Sequence, residues 1–167
     1  MTKVLVESFG WAYIVFVLDW YTKKIVGHYV GHQARTAEWL TAVNQAANRQ
    51  FPQGVQGHGL SLMRDNACQP TSLAFMKACA TLGITQAFTS YNNPKGNADT
   101  ERLMRMLTEE LVWLRERPSA HELEGALAAW VESYNTRYVH STLGYRTPTD
   151  FDFQHLHPSP STLLVAA

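Results

Sequence analysis

Apolar, β-branched and aromatic residues dominate the N-terminal part of the chain in short stretches separated by turn residues, a pattern typical of strands. The turn residues 8–10 lie between the first two stretches and predict a hairpin. Two further short apolar stretches follow later in the chain. The predicted strands cover residues 3–6, 12–18, 24–30, 60–63 and 84–88.

From residue 36 onward the apolar positions recur at helical spacing between these later strands and after them. Pro70 is suited to the start of the second helix, and Gly83 to its end. The predicted helices cover residues 36–49, 70–82, 98–115 and 119–138. The order of elements predicts an α/β fold with a mixed five-stranded sheet flanked by helices on both faces. We expect one domain over residues 1–152 and a loosely ordered C-terminal tail over residues 153–167.

The composition fits a folded protein without a membrane span. The chain has 167 residues, of which 46% are hydrophobic, and that is sufficient for one core. Its longest apolar run, residues 11–18, is eight residues long, whereas a bilayer-spanning helix needs about 20. Cys68 and Cys79 do not form a disulfide framework, and no secretory signal is recognisable. We therefore expect a cytoplasmic protein.

The charge balance limits how this chain could bind nucleic acid. It has 14 basic and 14 acidic residues and a formal net charge of zero, whereas stand-alone nucleic-acid-binding domains usually carry a basic excess. Any contact with DNA is thus expected to be local. The candidate cluster is Lys95, Arg102 and Arg105, around the start of the third helix. The alternative is a solvated helix surface on which Arg105 pairs with Glu109.

Two carboxylates are candidates for metal chemistry. Asp65 follows the fourth predicted strand, and Glu101 lies in the first turn of the third helix, with 35 residues between them. Two-metal phosphoryl transfer requires carboxylates that converge on Mg²⁺ ions. Taken singly, each residue also has an ordinary structural explanation, because Asp is common in turns and Glu stabilises a helix N-terminus. The spacing alone leaves both explanations open.

Three segments together resemble the transposases of insertion sequences that share a catalytic core with retroviral integrases. The first, at residues 65–70, is similar to the family's Asp-Asn-Gly segment around its second catalytic Asp, with Ala67 in place of Gly. The second, residues 97–102 and 107–111, resembles the helix that bears the catalytic Glu. The third, residues 134–137 and 140–148, resembles the C-terminal signature, in which Arg137 and His140 are first assigned to anchoring the loop after the last helix.

The resemblance implies a ribonuclease H-like fold and a transposase catalytic core that cleaves DNA and transfers strands in DNA integration. Asp65 and Glu101 would be the catalytic residues and the ligands of Mg²⁺ or Mn²⁺, and the DNA-binding residues would be Asn66, Lys95, Arg102 and Arg105. The implied partners are the DNA of the transposon ends and of the target, together with further copies of the chain in a homo-oligomer.

One departure from the family pattern concerns the first of its three carboxylates, which lies in an Asp-x-Thr string. Thr2 matches that Thr, so the Asp would immediately precede Met1. If the hairpin turns around Phe9 and Gly10, Asp19 would face this missing position across the strands. We expect the chain to be incomplete as a catalyst. The alternative is a catalytically inactive DNA-binding or dimerisation remnant of a transposase.

Overall fold

A computed structural model describes residues 1–64, 72–88, 94–113, 119–155 and 162–166. Within these ranges, none of the helices is long and apolar enough to cross a membrane. The strands are β1 (Thr2–Val6), β2 (Gly10–Asp19), β3 (Ile25–Gly31), β4 (Ser61–Arg64), β5 (Thr85–Phe88) and β6 (Thr162–Ala166). The helices are α1 (Thr36–Gln50), α2 (Leu73–Thr81), α3 (Pro94–Leu107), α4 (Ala120–Arg137) and α5 (Pro148–Gln154).

The strands form one mixed sheet in which β2 is paired along both of its edges. β3 is antiparallel to β2 over Tyr13 to Leu18, and this stretch overlaps the pairings of β2 with β1 and with β6. Strands β1 and β6 must therefore share the opposite edge of β2. Beyond β6 the sheet continues with β4 and then β5, both parallel to β6.

The predicted fold class, α/β with a mixed sheet and helices on both faces, is confirmed, but within the described residues the sheet has six strands rather than five. The additional strand, β6, lies in the segment predicted to be a tail. Its sequence, Thr-Leu-Leu-Val-Ala, is apolar enough for a central strand. Its pairing with β2 and β4 is non-local, and a sequence pattern gives no direct information on such pairing.

Each face of the sheet carries its own hydrophobic core. Because side chains alternate along a strand, neighbouring residues of β2 contribute to opposite faces: Phe16 packs on one side and Val15 on the other. The first core joins β1 and β2 to α3 and α4, with Leu103 and Leu127 among its fully buried members. The second core joins the sheet to α1 and α2.

The close packing of α1 on β3 depends on a glycine. A Cβ atom added at Gly27 would lie 2.3 Å from the carbonyl oxygen of Ala42 and 3.0 Å from the Cβ of Ala46. Any larger side chain would therefore push α1 away from the sheet.

Several helix boundaries differ from the predictions. Helix α2 begins at Leu73, where Ser72 accepts a hydrogen bond from the backbone N–H of Phe75 at 3.2 Å; Pro70, the predicted start, lies outside the described residues. Helix α3 begins at Pro94, and its last turn widens into a π-helix, Thr108–Val112. The start of α4 agrees with the prediction, because Ser119 caps it.

Candidate active site at the start of helix α3

Some of the predicted site residues lie on α3, and others lie outside the described residues. Glu101, Arg102 and Arg105 are exposed on α3. Lys95 belongs to the first turn of the same helix. Asp65 and Asn66 lie outside the described residues, so the pairing of Asp65 with Glu101 stays a prediction.

One side of helix α3 is buried in the core, and the side that carries the predicted site residues is exposed. Leu103 and Leu107 are buried in the core shared with β1, β2 and α4. Glu101 and Arg105 are one helical turn apart on the exposed side. Within the described ranges Arg105 makes no ion pair with Glu109, so the predicted alternative of a paired helix surface is not what the structure has.

Three successive residues, the last two of the turn between β2 and β3 and the first of β3, contact three helices. The ammonium group of Lys23 donates a hydrogen bond to the Oδ2 atom of Asp99 on α3 at 2.6 Å. The ammonium group of Lys24 makes the equivalent contact with Asp152 on α5, also at 2.6 Å. The backbone of Ile25 binds a side chain of α4. The turn therefore fixes α3 two residues from Glu101.

Lys23 holds a left-handed backbone conformation, with φ at 59°, which is uncommon for a residue with a side chain. Its side chain is largely buried, and its ammonium group lies 5.8 Å from the centre of the Trp20 ring. The lysine thus combines a costly backbone conformation with a buried contact to the start of α3.

The C-terminal signature packs against this part of the molecule. Asn135 accepts a hydrogen bond from the N–H of Ile25 at 2.9 Å and donates one to its carbonyl oxygen at 3.0 Å. His140 is buried, and its backbone N–H and carbonyl bind the carbonyl of Arg146 and the N–H of Tyr145. The anchoring role predicted for His140 is thus supported by its contacts, whereas Arg137 is exposed at the end of α4.

Charged residues on α3 shift the pKa values of two buried rings, His140 and Tyr134. Burial lowers the pKa of His140, and the positive charge of Arg102 lowers it further. Burial also raises the pKa of Tyr134, and the carboxylate of Asp99 adds to that effect. The Nε2 atom of His140 has no hydrogen-bond partner among the residues that the structure describes.

Asp19 does not occupy the position expected for it. The hairpin turns at residues 7–9, with Val6 opposite Gly10, so the residue before Met1 would face Phe16 if the ladder continued. Asp19 lies opposite Leu163 instead, three residues further along β2, or about 10 Å away at the rise of a strand. The expectation that Asp19 faces the missing carboxylate is wrong. In the observed hairpin, each residue of β1 faces a residue of β2 three positions earlier than a turn around Phe9 and Gly10 would give.

The surroundings of Asp19 explain its burial in structural terms. Its Oδ1 atom accepts a hydrogen bond from the N–H of Tyr21 at 2.9 Å, which stabilises the turn after β2. Burial raises the pKa of Asp19, and these turn contacts only partly offset that rise. The carboxylate therefore serves the turn that carries Lys23 and Lys24.

Sequence reasoning missed Lys23 and Asp99. Each has an ordinary local setting, a turn after a strand and the start of a helix, and their pairing spans 76 residues. The position of Asp99 inside the segment that resembles the catalytic helix was the one available signal.

Of the two proposed metal ligands, Glu101 is the one that lies among the described residues. Its exposed carboxylate supplies the hard oxygen ligand that Mg²⁺ prefers. In the described parts of the chain, no group of three His, Cys, Asp or Glu residues gathers around one point. The fit therefore rests on the chemistry of Glu101 and of Asp65, which follows β4 directly in sequence.

Comparison with known proteins relates the chain to integrase cores and to transposases. Two family models described as Integrase core domain match residues 1–94 and 82–148. The transposase for insertion sequence element IS904 of Lactococcus lactis is 26% identical over 144 residues, which are 86% of this chain and 55% of that protein. The putative transposase for IS986/IS6110 of Mycobacterium tuberculosis is 28% identical over 149 residues, 86% of this chain and 52% of that protein. The chain thus spans about half the length of these curated relatives.

Two solved structures with a similar fold come from retroviruses. The catalytic core domain of BIV integrase superposes with a TM-score of 0.62 at 18% identity, covering 94% of this chain and 93% of that one. A chain of the simian T-cell lymphotropic virus intasome gives a TM-score of 0.67 at 15% identity, covering 95% of this chain and 54% of that one. The fold is therefore ribonuclease H-like, as predicted, and the chain belongs to the integrase core domain family.

Proposed function

We propose that this chain is the catalytic core of an insertion-sequence transposase, which cleaves DNA at the ends of the element and joins the freed 3′-hydroxyl to a target. The observation that carries the proposal is the exposed Glu101 on a helix whose opposite side is held by the core and by Lys23. Membership of the integrase core domain family and the transposase relatives support it.

Asp65 and Glu101 are the residues that would hold Mg²⁺ or Mn²⁺ in this proposal. When bound, such ions activate an attacking oxygen and stabilise the leaving oxygen of the phosphodiester. The HTLV-2 integrase catalytic core, which is similar in fold with a TM-score of 0.57 at 14% identity, has been solved in complex with magnesium. Exposure allows Glu101 to act as a ligand without moving α3.

Cationic side chains beside Glu101 would hold the DNA backbone. Arg102 and Arg105 are exposed on the same helix, and Lys95 and Asn66 complete the proposed set. Because the chain has no net charge, this local cluster would supply most of the attraction to phosphates, and binding would weaken steeply with salt.

The Lys23–Asp99 pair acts in this proposal as a positioning contact. It connects the turn after β2 to α3 two residues before Glu101. An error of about 1 Å in a reacting group can reduce a rate about a hundredfold. The pair would therefore affect the rate of cleavage more than the affinity for DNA.

Homo-oligomers on DNA are part of the same proposal. The HTLV-2 integrase core is known in a dimeric and a trimeric form. Assembly of several copies would bring two element ends to one target.

The test is calorimetric titration with Mn²⁺ and cleavage of an end-sequence DNA duplex. It compares the chain as it stands, a version with Asp added before Met1, and both with Asp65→Asn or Glu101→Gln. We expect the added Asp to strengthen Mn²⁺ binding, and each substitution to abolish the gain. Glu109→Gln, an exposed glutamate beyond α3, is the matched control and should change neither reading. Equal Mn²⁺ binding by all versions would refute the metal site.

A catalytically inactive DNA-binding or dimerisation module is the second candidate. The observation in its favour concerns the position opposite Phe16, which the residue before Met1 would hold if the β1–β2 ladder continued. In the structure this position is held by Ala166 of β6, which carries no carboxylate. This candidate predicts DNA binding or self-association that is independent of divalent metal, with no cleavage by the version that carries the added Asp.

A further inference from the structure

The loop after α4 is exposed, yet backbone hydrogen bonds hold it in one shape. We call residues 138–147 the signature loop, and they include one turn of 3-10 helix, Ser141–Leu143. The N–H of His140 donates a hydrogen bond to the carbonyl of Arg146 at 3.0 Å, and the N–H of Tyr145 donates one to the carbonyl of His140 at 2.9 Å. The loop therefore presents its exposed side chains from a fixed frame.

Tyr145 holds a position in this loop that neither the core nor the backbone explains. Its φ is 59°, in the left-handed region that favours glycine, and it directly follows Gly144, whose φ is 65°. Its side chain is 77% exposed, so the ring adds little to the hydrophobic core. A large side chain that strains the backbone and lies in solvent points to a role in binding something outside the folded chain.

The chain around this ring carries positive charge that the fold leaves unpaired. Arg137, the last residue of α4, and Arg146 are both exposed, and neither forms an ion pair with a residue that the structure describes. Residues 133–149 contain no Asp or Glu. The carboxylate that follows, Asp150, accepts a hydrogen bond from the hydroxyl of Thr147 at 2.7 Å. In a chain without net charge, the loop is thus a local excess of positive charge.

The signature loop lies beside the exposed side of α3. The ring of His140 contacts that of Tyr134, with the ring centres 5.4 Å apart, and Tyr134 belongs to the core that also contains Leu103 of α3. Burial lowers the pKa of His140 most, and the positive charge of Arg102 lowers it further, so this arginine lies near the ring. The loop therefore continues the surface on which Arg102 is exposed.

We propose that the signature loop is a second DNA-binding surface beside α3, on which Arg137 and Arg146 bind backbone phosphates of one strand and the ring of Tyr145 stacks on a base of that strand. This inference rests on the proposed function, because it extends the side of α3 that would bind DNA. Guanidinium groups bind phosphate oxygens through paired hydrogen bonds. An aromatic ring stacks on any base, because every base has a flat π-face.

The exposed side chains of the loop fit a DNA strand better than a protein surface. The large exposed apolar or aromatic side chains of the loop are Val139 and Tyr145, which offer far less area than a stable protein interface buries. The two free charges are both positive, as phosphates require, whereas a protein partner would have to supply matching carboxylates. Charge and shape together therefore favour DNA.

The ring also limits which part of a DNA molecule fits. In a continuous duplex the faces of the bases are covered by their neighbours, and opening a step between two bases costs free energy. An unpaired base offers its face without that cost. The signature loop should therefore prefer DNA that has unpaired nucleotides next to a duplex, as a cleaved or frayed end has.

The test is fluorescence anisotropy with two labelled duplexes of one sequence, one blunt and one with a short unpaired overhang. EDTA is present, so that binding is independent of any divalent metal. We expect tighter binding of the overhang duplex, and Tyr145→Gly should weaken that binding about fivefold or more while the blunt duplex is little affected. Tyr145→Phe keeps the ring and should keep the affinity.

The arginines have a different signature in the same assay. Arg137→Gln and Arg146→Gln should weaken binding of both duplexes, and each should lower the slope of log affinity against log salt by about 0.9. Arg49→Gln on α1 and Trp11→Ala on β2 are the matched controls. Both residues are exposed on the other face of the sheet, and neither substitution should change binding.

Thermal melting separates a binding role of Tyr145 from a structural one. Glycine adopts the left-handed conformation readily, so Tyr145→Gly should melt at the same temperature as the unchanged chain or at a higher one. A lower melting temperature together with weaker DNA binding would mean that the ring supports the fold, and this would overturn the proposal. Unchanged affinity of Tyr145→Gly for the overhang duplex would overturn it too, as would a chain that binds neither duplex.

The remaining outcomes separate this inference from the proposed function. If the loop variants weaken binding but Arg102→Gln and Arg105→Gln do not, the signature loop is supported and the proposed DNA-binding cluster on α3 is refuted. The reverse result refutes the loop and leaves the proposed function intact. If Tyr145→Gly instead disrupts a dimer in sedimentation and leaves DNA affinity unchanged, a second copy of the chain covers the loop and the proposal is wrong.

Discussion

Asn135 uses one buried side-chain amide to satisfy both backbone groups of Ile25 at the start of β3. The side chain does for this strand end what a neighbouring strand does elsewhere, since buried backbone groups need partners. It also joins α4 to the turn that carries Lys23. The first residue of the strand is thereby fixed relative to α4.

Replacing this amide should be costly. Asn135→Ala leaves a buried N–H and a buried carbonyl of Ile25 unsatisfied, so we expect a loss of about 2–4 kcal/mol in the free energy of unfolding. Urea denaturation followed by tryptophan fluorescence measures it. Thr136→Ala, at the exposed neighbouring position, is the control and should change stability little. A loss no larger than that of the control would contradict the role given to Asn135.

Asp19 leads to a prediction about pH. Burial raises its pKa, so the folded state favours the protonated form, and ionisation above the folded pKa lowers stability. Asp19→Asn keeps an oxygen that can accept the hydrogen bond from Tyr21, and it removes the charge. We expect the variant to melt at a higher temperature than the unchanged chain at pH 7, with the difference vanishing as the pH falls below about 3.8, the ordinary value of an aspartate.

Metal binding gives Asp19 a second test. Since Asp19 lies three residues along β2 from the position opposite the residue before Met1, Asp19→Asn should leave Mn²⁺ affinity unchanged in the version with the added Asp. A loss of affinity comparable to that caused by Glu101→Gln would show that Asp19 belongs to the metal site after all.

Among the elements, the π-helix Thr108–Val112 connects α3 to α4 through Glu110. Its carboxylate accepts a hydrogen bond from the indole N–H of Trp130 at 2.9 Å and another from the hydroxyl of Tyr138. A wider turn changes the direction in which side chains leave the helix. Glu110 thereby reaches both partners, on α4 and just after it.

Tyr138 should titrate late because of this contact. Burial, together with the hydrogen bond to Glu110, raises its pKa to about 12. The stabilisation is complete below pH 10, the ordinary value, and is lost as the pH rises toward the folded pKa. Absorbance at 295 nm should reveal a tyrosine that ionises near pH 12 and disappears in Tyr138→Phe. Glu110→Gln should lower that pKa, and an unchanged titration would refute the contact.

The elements could be predicted from sequence to different degrees. Periodicity located β1 to β5 and the four long helices, because local burial patterns leave a direct trace in sequence. The start of α4 followed from Ser119. The register of the first hairpin was missed by three residues, since residues 7–9 and residues 9–10 are both acceptable turns. The contacts of Lys23 and Lys24 could not be predicted from the sequence. Each is one ion pair between residues far apart in the chain, and such a pair leaves no periodic pattern.

For the molecule as a whole, the two cores share one sheet. We therefore expect a destabilising substitution in either core to lower the stability of the whole domain, which unfolds as one cooperative unit. Ile25 is buried in the core beside α3 and α4, and Ile84 in the core beside α1 and α2. We expect Ile25→Val and Ile84→Val each to cost about 0.5–1.5 kcal/mol. The double variant should lose the sum of the two within about 0.5 kcal/mol, as independent sites do.

Denaturation curves decide this. Far-ultraviolet circular dichroism and tryptophan fluorescence should give coincident transitions for all these variants, as expected for a two-state domain. Transitions that separate in one variant would mean that the two faces of the sheet unfold independently. The whole-molecule fold class was predictable because the order of strands and helices limits the possible architectures, whereas the insertion of β6 depends on a pairing between the two ends of the chain.

Strands β6 and β1 lie end to end along one edge of β2. Ala166 lies opposite Phe16, and the next position along that line, opposite Val15, is the register position of Met1. Removal of Ala167 and a peptide bond from Ala166 to Met1 would join the two strands into one and turn the polypeptide into a ring. Such a ring could be reopened at the exposed loop between α1 and β4. The end-to-end arrangement of the two strands therefore makes a circularly permuted version of this domain, with its termini in that loop, a reasonable design.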